Sequence, residues 1–214
     1  MAAAVASGVS PVASDGKGRI LREARSLFTA HGYMAVSMQQ IADAAAVNKA
    51  TLYHHFRDKE ELFVAVMREE FTGARAVIAA ELDAGGPLRE RLARVARVIL
   101  AGRQTDLSRL TTDLREHVSE ERRAALMAQC GHPWDVIEPA IAEAVASGDL
   151  RDRDPQALTQ LFLGMVWSAL WRAKHGAPVR QDPDALAALI VEVFFDGAAP
   201  CAACAVATDG DPAR

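Results

Sequence analysis

The sequence has few cysteines and few aromatic residues, and it lacks long apolar runs. Of its 214 residues, 3 are cysteine and 6% are aromatic. Three cysteines cannot build the disulfide framework of a small secreted protein, so a cytoplasmic location is predicted. No apolar run approaches the ~18 residues that span a bilayer, and residues 1–8 lack the basic segment of a signal peptide. These absences exclude secreted mini-proteins and membrane proteins.

Strand patterns are missing too, and helical periodicity takes their place. No sustained alternation of apolar and polar residues is bounded by turn residues. Capping residues at Ser37 with Gln40, at Asn48, and at Asp58 with Glu61 predict three closely spaced helix starts. Two later Asp-Pro pairs predict further starts, because proline fits the first helical turn. The predicted fold class is all-α, with an N-terminal three-helix head and a larger helical C-terminal domain.

Positive charge is concentrated near the N-terminus. Between residues 17 and 59 there are seven positive and three negative side chains, a net charge of +4. The whole chain carries −4, which leaves −8 for the rest. A basic head can approach phosphates while an acidic body is repelled from them. The distribution favours a nucleic-acid partner, and a solvated helix face is the alternative explanation.

Residues 37–56 are predicted to form two short helices joined by a tight turn at Ala46 and Val47. Proteins with a helix-turn-helix lay the second helix in the major groove. Lys49 and Ala50 would stand at its entering end, where lysine can reach guanine and an alanine methyl can touch thymine. Lys59, in the first turn of the next helix, can hold a phosphate together with backbone N–H groups. Further donors for phosphates or base edges are Thr51, Tyr53, His54 and His55.

These residues carry a family resemblance. Residues 41–56 and 59–62, with residues 28–33 before them, resemble the DNA-binding head of the TetR (tetracycline-repressor) family of bacterial regulators. The resemblance implies a homodimeric regulator of operator DNA, a repressor or else an activator, that responds to a small-molecule inducer. It implies phosphate contacts for Thr51, Tyr53, His55 and Lys59, and base proximity for Lys49, Ala50 and His54. Ser37 completes the set of candidate DNA contacts.

The chain departs from the family pattern at two positions. The family often has glycine where this chain has Ala46, and a left-handed alanine costs roughly 1 kcal/mol. Many members also have glycine at the position of Ala50, so no base preference is transferred from the family.

Two C-terminal segments, 158–171 and 186–195, are apolar on nearly every face. A helix that is apolar all round is buried all round, and a soluble monomer rarely exposes so large a patch. We therefore predict a two-fold four-helix dimer interface, with central helices of a monomer as the alternative. The interface candidates are Phe162, Met165, Leu186, Leu189, Ile190, Val193 and Phe194.

The middle of the chain mixes large apolar and polar side chains in the way that ligand pockets between helices do. The candidates for contact with a small, largely apolar inducer are Arg115, His117, Met127, Trp134 and Trp167. The alternative is that the apolar ones are ordinary core and the histidines lie at the surface.

The predicted domains are a disordered arm (1–16), a DNA-binding domain (17–58), a ligand-binding and dimerisation domain (59–197) and a disordered tail (198–214). No metal or cofactor is expected, because the adjacent His54 and His55 do not face one another on a helix. Cys201 and Cys204 form a lone C-x-x-C, a weak zinc or redox signal. No catalytic constellation is present, so an enzyme is not expected. The alternative function is a helical small-molecule binding protein or enzyme whose head no longer binds DNA.

Overall fold

The structure is a computed structural model, and it describes residues 12–101, 107–174 and 182–198. These residues form helices, and no strand occurs among them, so the predicted all-α fold is confirmed. The elements are α1 (Val12–His31), α2 (Met38–Ala44), α3 (Lys49–His55), α4 (Lys59–Asp83), α5 (Leu88–Ala101), α6 (Leu107–His117), α7 (Glu120–Cys130), a 3-10 turn (Pro133–Val136), α8 (Ile137–Ser147), α9 (Pro155–Lys174) and α10 (Pro183–Ala198).

Most of the predicted arm and tail lies outside the described residues, as do Cys201 and Cys204. Helix α1 begins at Val12, inside the predicted arm. Within the described ranges, no helix is both long enough and apolar enough to cross a membrane.

The chain packs into two compact units. Of the described residues, unit 1 contains 12–71 and 107–131, and unit 2 contains 72–101, 132–174 and 182–198. Helices α6 and α7 therefore pack with the helix-turn-helix segment. This grouping cuts the chain at other points than the predicted domain limits, which stay a prediction.

The core of unit 1 is built around an aromatic group. The rings of Phe28 and Phe63 meet edge to face with centroids 5.0 Å apart, and Tyr33 contacts Phe63 at the same distance. Apolar residues of α2, α3, α6 and α7 complete the core, among them Ile41, Leu52, Leu110, Leu114 and Leu126. Burying their side chains stabilises the unit, at about 1.5–3 kcal/mol for each large residue.

The helix starts follow the predicted caps. Ser37 forms a full capping box with Gln40 at the start of α2, and Asn48 Oδ1 accepts a hydrogen bond from Thr51 N at 2.6 Å. Asp58 Oδ1 accepts from Glu61 N at 2.7 Å at the start of α4. The carboxylate of Glu61 accepts from Arg57 N rather than from Asp58 N, so this third cap is not a complete box.

Unit 2 packs α10 along α5, and α9 against α8 and α10. The rings of Phe162 and Phe194 meet with centroids 5.6 Å apart, and Leu92 and Ile141 are fully buried beside them. Gly148 ends α8 in a left-handed conformation, as predicted for a C-cap.

Candidate nucleic-acid interface

Helix α3 has one buried face and one exposed face. Leu52 is 0% exposed and packs in the core of unit 1, while Tyr53 is 43% exposed. Lys49, Ala50 and His54 are exposed as well. A helix anchored by its apolar side can present the opposite side to a DNA groove.

The first turn of α3 is held by its cap. The amide N–H of Thr51 points at Asn48 Oδ1, and the Thr51 side chain is half-buried. The ammonium of Lys49 lies 5.8 Å from the centroid of the Tyr53 ring. This contact places the positive charge on the exposed face of α3, beside a phenol that can donate to a phosphate.

The turn between α2 and α3 is left-handed at Ala46, whose φ is 51°. Val47 N donates to Ala42 O at 3.0 Å and Ala46 N donates to Asp43 O at 3.2 Å. This pair of bonds is the Schellman pattern, which usually places glycine at the left-handed position. Ala46 therefore has the strained left-handed conformation that we expected at this position, where the family often has glycine.

Ser37 and His55 already make contacts within the head. The Ser37 hydroxyl accepts from Gln40 N and contacts Gln40 Oε1 at 2.8 Å, so it already serves as a cap. His55 is half-buried, and its ring lies 5.4 Å from that of His54, centroid to centroid. The two rings are closer than their helical spacing led us to expect. Within the described ranges, no cluster of three or more metal-ligating residues forms.

Lys59 reaches back from α4 to the loop between α1 and α2. Its ammonium donates to the carbonyl oxygens of Tyr33 and Val36 at 2.9 and 3.0 Å. Burial lowers the pKa of the Lys59 amine, while the two carbonyls favour its charged form. An ammonium has three N–H groups, so the third can reach a phosphate oxygen while the others hold the loop.

Helix α6 holds the same loop from the other side. Tyr33 N donates to Asp113 Oδ2 at 2.9 Å, and the ring of His117 stacks on the Tyr33 ring with centroids 5.6 Å apart. Arg109 donates to Ala30 O at 3.2 Å. The loop that leads into the helix-turn-helix is therefore tied to α6 through both backbone and side chain.

Helix α7 contacts the turn that follows α3. The residues that make this contact were not among the predicted site residues. Two nitrogens of Arg122 donate to the two oxygens of Asp58 at 2.7 and 2.8 Å, and Glu60 Oε1 accepts from Ser119 N at 2.8 Å. The hydrogen bond from Arg122 lowers the pKa of Asp58 to about 2, and the bond from Ser119 lowers that of Glu60. The signal in the sequence that could have indicated this contact is Arg122 itself, a cation in the first turn of a helix, where cations are disfavoured.

The predicted ligand residues fall into both units. In unit 1, Arg115 is exposed, His117 stacks on Tyr33 as described, and Met127 packs on the core. In unit 2, the indoles of Trp134 and Trp167 meet edge to face with centroids 5.1 Å apart. Both indoles are half-buried.

Unit 2 also has an open groove between α5 and α10. Four of its seven lining residues are charged, and none of the seven is a predicted ligand residue. The lining residues are Arg89, Glu90, Ala93, Ala188, Val191, Glu192 and Asp196.

The predicted interface residues divide into core and surface. Phe162, Ile190 and Phe194 lie in the core of unit 2, and Met165 and Leu186 are half-buried against it. Two of the predicted residues are exposed, Leu189 to 42% and Val193 to 54%. Leu161 on α9 is 63% exposed, and the prediction did not include it.

Comparison with known proteins gives two matches to family models. Residues 20–66 match the family of bacterial regulatory proteins called tetR. Residues 85–198 match the C-terminal domain of tetracyclin repressor-like proteins. The second match alone spans more than half of the chain.

Curated relatives cover either the head or most of the chain. The repressor AcnR of Corynebacterium efficiens is 39% identical over 66 residues, which are 31% of this chain and 34% of AcnR. This chain thus spans only about a third of that relative. The regulator RutR of Escherichia coli K12 is 29% identical over 201 residues, covering 84% of this chain and 83% of RutR.

A solved structure of AibR with isovaleryl coenzyme A and operator DNA is similar in fold, with a TM-score of 0.65 and 29% identity. It covers 84% of this chain and 98% of AibR. The helix-turn-helix geometry and the two model matches together assign the chain: it belongs to the TetR family of bacterial DNA-binding transcriptional regulators.

Proposed function

We propose that this chain is a sequence-specific repressor that reads operator DNA with α3 and leaves it when a small, largely apolar ligand binds. The observation that carries the proposal is the exposed face of α3, which presents the polar groups of Lys49, Tyr53 and His54 and the small side chain of Ala50. Lys49, Ala50 and His54 lie nearest the bases. Thr51, Tyr53, His55 and Lys59 hold phosphates, and Ser37 adds a contact at the start of α2.

Repression rather than activation is supported by the relative AcnR, which is named as a repressor and matches the head of this chain. A regulator that reads operator DNA works in the bacterial cytoplasm. We assign it no catalytic activity and no cofactor, because regulation by binding DNA and a ligand requires neither.

We propose a homodimer formed by α9 and α10. Leu161, Leu189 and Val193 are large apolar side chains exposed on these two helices, and pairing with a second copy would remove them from water. A two-fold dimer can set two copies of α3 in successive major grooves, roughly 34–36 Å apart.

The ligand is proposed to bind beside Trp134 and Trp167, whose half-buried indoles offer apolar faces. In unit 1, Arg115, His117 and Met127 stay separate candidates for ligand contact. The structure of AibR with isovaleryl coenzyme A supports an acyl-type ligand as the first to be tested.

DNA reading is tested by selecting duplexes from a random library with the full-length protein and by gel shift of the enriched sequence. We expect one two-fold symmetric sequence to be enriched. Enrichment of no sequence would favour the alternative, a helical ligand-binding protein or enzyme whose head does not bind DNA.

Ligand release is tested by titrating isovaleryl coenzyme A and short branched fatty acids against tryptophan fluorescence, with and without the selected duplex. Linkage requires that DNA weaken the ligand by the same factor by which the ligand weakens DNA, typically ~5–150-fold. A compound that binds equally in both states is no inducer, because it cannot shift the equilibrium between them.

A further inference from the structure

The first turns of α4 and α7 cap one another. In a capping box, the N-cap N–H is bound by an acidic or amide side chain of the same helix. Here Ser119, the N-cap of α7, gives its N–H and hydroxyl to Glu60 of α4 at 2.8 and 2.7 Å. In return, Arg122 of α7 binds both oxygens of Asp58, the N-cap of α4.

Arg122 breaks a local rule, and the cross-helix contact explains why. A cation in the first turn of a helix is disfavoured by the positive end of the helix dipole. Arg122 occupies that position in α7 and lies between two carboxylates of α4, with Glu60 Oε2 at 3.4 Å. Such exceptions to local preference tend to occur where function requires them.

Asp58, the carboxylate that Arg122 binds, lies close to α3 in the sequence. Only Phe56 and Arg57 separate the end of α3 from Asp58. Phe56 is buried and its N–H bonds to Leu52 O, while Arg57 N donates to Glu61 Oε2 at 2.9 Å. Because these bonds leave the segment little freedom, a shift of Asp58 is passed on to α3.

We propose that Arg122 is a positioning residue for DNA reading, which sets the orientation of α3 by fixing Asp58 and Glu60 to the first turn of α7. This inference rests on the proposed reading of DNA by α3. In this proposal Arg122 acts through Asp58 and Glu60 and not through a contact of its own with DNA.

The experiment compares Arg122→Gln, Arg122→Lys and Arg68→Gln in the full-length protein. Arg68 is an exposed arginine further along α4, so its replacement removes the same charge without touching the α4–α7 contact. Dissociation constants for the duplex selected by the wild-type protein are measured over a series of salt concentrations. A stoichiometric titration, with the duplex at a concentration far above the dissociation constant, reports what fraction of each variant is folded and active.

We expect Arg122→Gln to weaken binding by about tenfold, with the salt slope and the active fraction unchanged. A direct phosphate contact would instead lower the slope by about 0.9. Arg122→Lys keeps the charge but not the planar fork that binds both oxygens, so it should recover part of the loss. Arg68→Gln should bind like the wild type.

A double variant tests whether Arg122 acts through Asp58. Asp58→Asn combined with Arg122→Gln should bind no more weakly than Arg122→Gln alone, because both changes remove one contact. If Arg122→Gln does not fold, Ser119→Ala is measured instead, because it removes only the hydrogen bond from the Ser119 hydroxyl to Glu60. This variant should still raise the dissociation constant for the duplex and leave the salt slope unchanged.

Three results would overturn the inference: wild-type affinity for Arg122→Gln, a shallower salt slope, or a lower active fraction with an unchanged dissociation constant. If the wild-type protein selects a duplex and the variant binds it equally well, only this inference fails. If the wild-type protein selects none, the proposed function fails with it.

Discussion

The ammonium of Lys59 lies 4.3 Å from the centroid of the Tyr33 ring and donates to the carbonyl oxygen of the same residue. One side chain thus joins the start of α4 to the loop before α2. Hydrogen bonds from a charged donor are stronger than neutral ones, so this contact supports the geometry of the whole head.

Lys59→Ala should therefore have two effects. The melting temperature should fall, because two charge-assisted hydrogen bonds are lost. Binding to all DNA sequences should weaken alike, with the salt slope smaller by about one for the lost phosphate contact. Thermal melting and salt titrations on several duplexes measure the two effects separately. A lower melting temperature with an unchanged slope would show that Lys59 only holds the loop.

Lys49→Ala should instead change sequence preference. Lys49 is exposed at the start of α3 and makes no core contact, so the melting temperature should stay near that of the wild type. We expect a loss of ~1–3 kcal/mol at one base pair of the operator. Binding to duplexes with single substitutions at each position measures it, and a uniform loss at all positions would contradict the role in base reading.

Ala46→Gly should stabilise the protein. Glycine removes the steric cost of the left-handed conformation, roughly 1–2 kcal/mol. Part of this gain in stability is offset, because glycine also raises the conformational entropy of the unfolded chain. The net gain should be about 0.5–1 kcal/mol in the free energy of unfolding, measured with urea. Ala44→Gly, in the last position of α2, is the matched control and should destabilise.

The exposed residues of α10 should control dimerisation. Leu189→Asp with Val193→Asp should give folded monomers, because both side chains point to solvent in one copy and the new charges would be buried in the dimer. Phe194→Asp should unfold unit 2, since Phe194 packs on Phe162. Light scattering and circular dichroism distinguish these results, with Ala128→Asp on α7 as the charge control. An unchanged dimer in the double variant would exclude this interface.

The ion pair of Asp58 should appear in the acid stability of the protein. The pKa of Asp58 is lowered from 3.8 to about 2 by the hydrogen bond from Arg122. A carboxyl with a lowered pKa stabilises the fold above its unfolded pKa, and that stability is lost as the pH falls through the folded value. The difference in unfolding free energy between the wild type and Asp58→Asn should be constant from about pH 5 to 7 and shrink between about pH 4 and 2. A difference that is independent of pH throughout would contradict the pairing.

The sequence alone determined the helices and most of their ends, because those depend on neighbouring residues. The caps at Ser37 and Asn48, the left-handed Ala46 and the C-cap at Gly148 all involve atoms within a few positions of one another. The apolar face of α3 follows from the same short-range periodicity, so the exposed residues that we propose as DNA contacts were also predictable.

The tertiary structure decided which residues meet across the chain. Arg122 and Asp58 are 64 positions apart, and no local pattern relates two such residues. The apolar pattern of α9 and α10 likewise did not indicate which of their residues are buried. Phe162 and Phe194 lie in the core, while Leu161 and Val193 are at the surface. Periodicity fixes which residues share a face of a helix, but the packing of neighbouring helices decides which faces are covered.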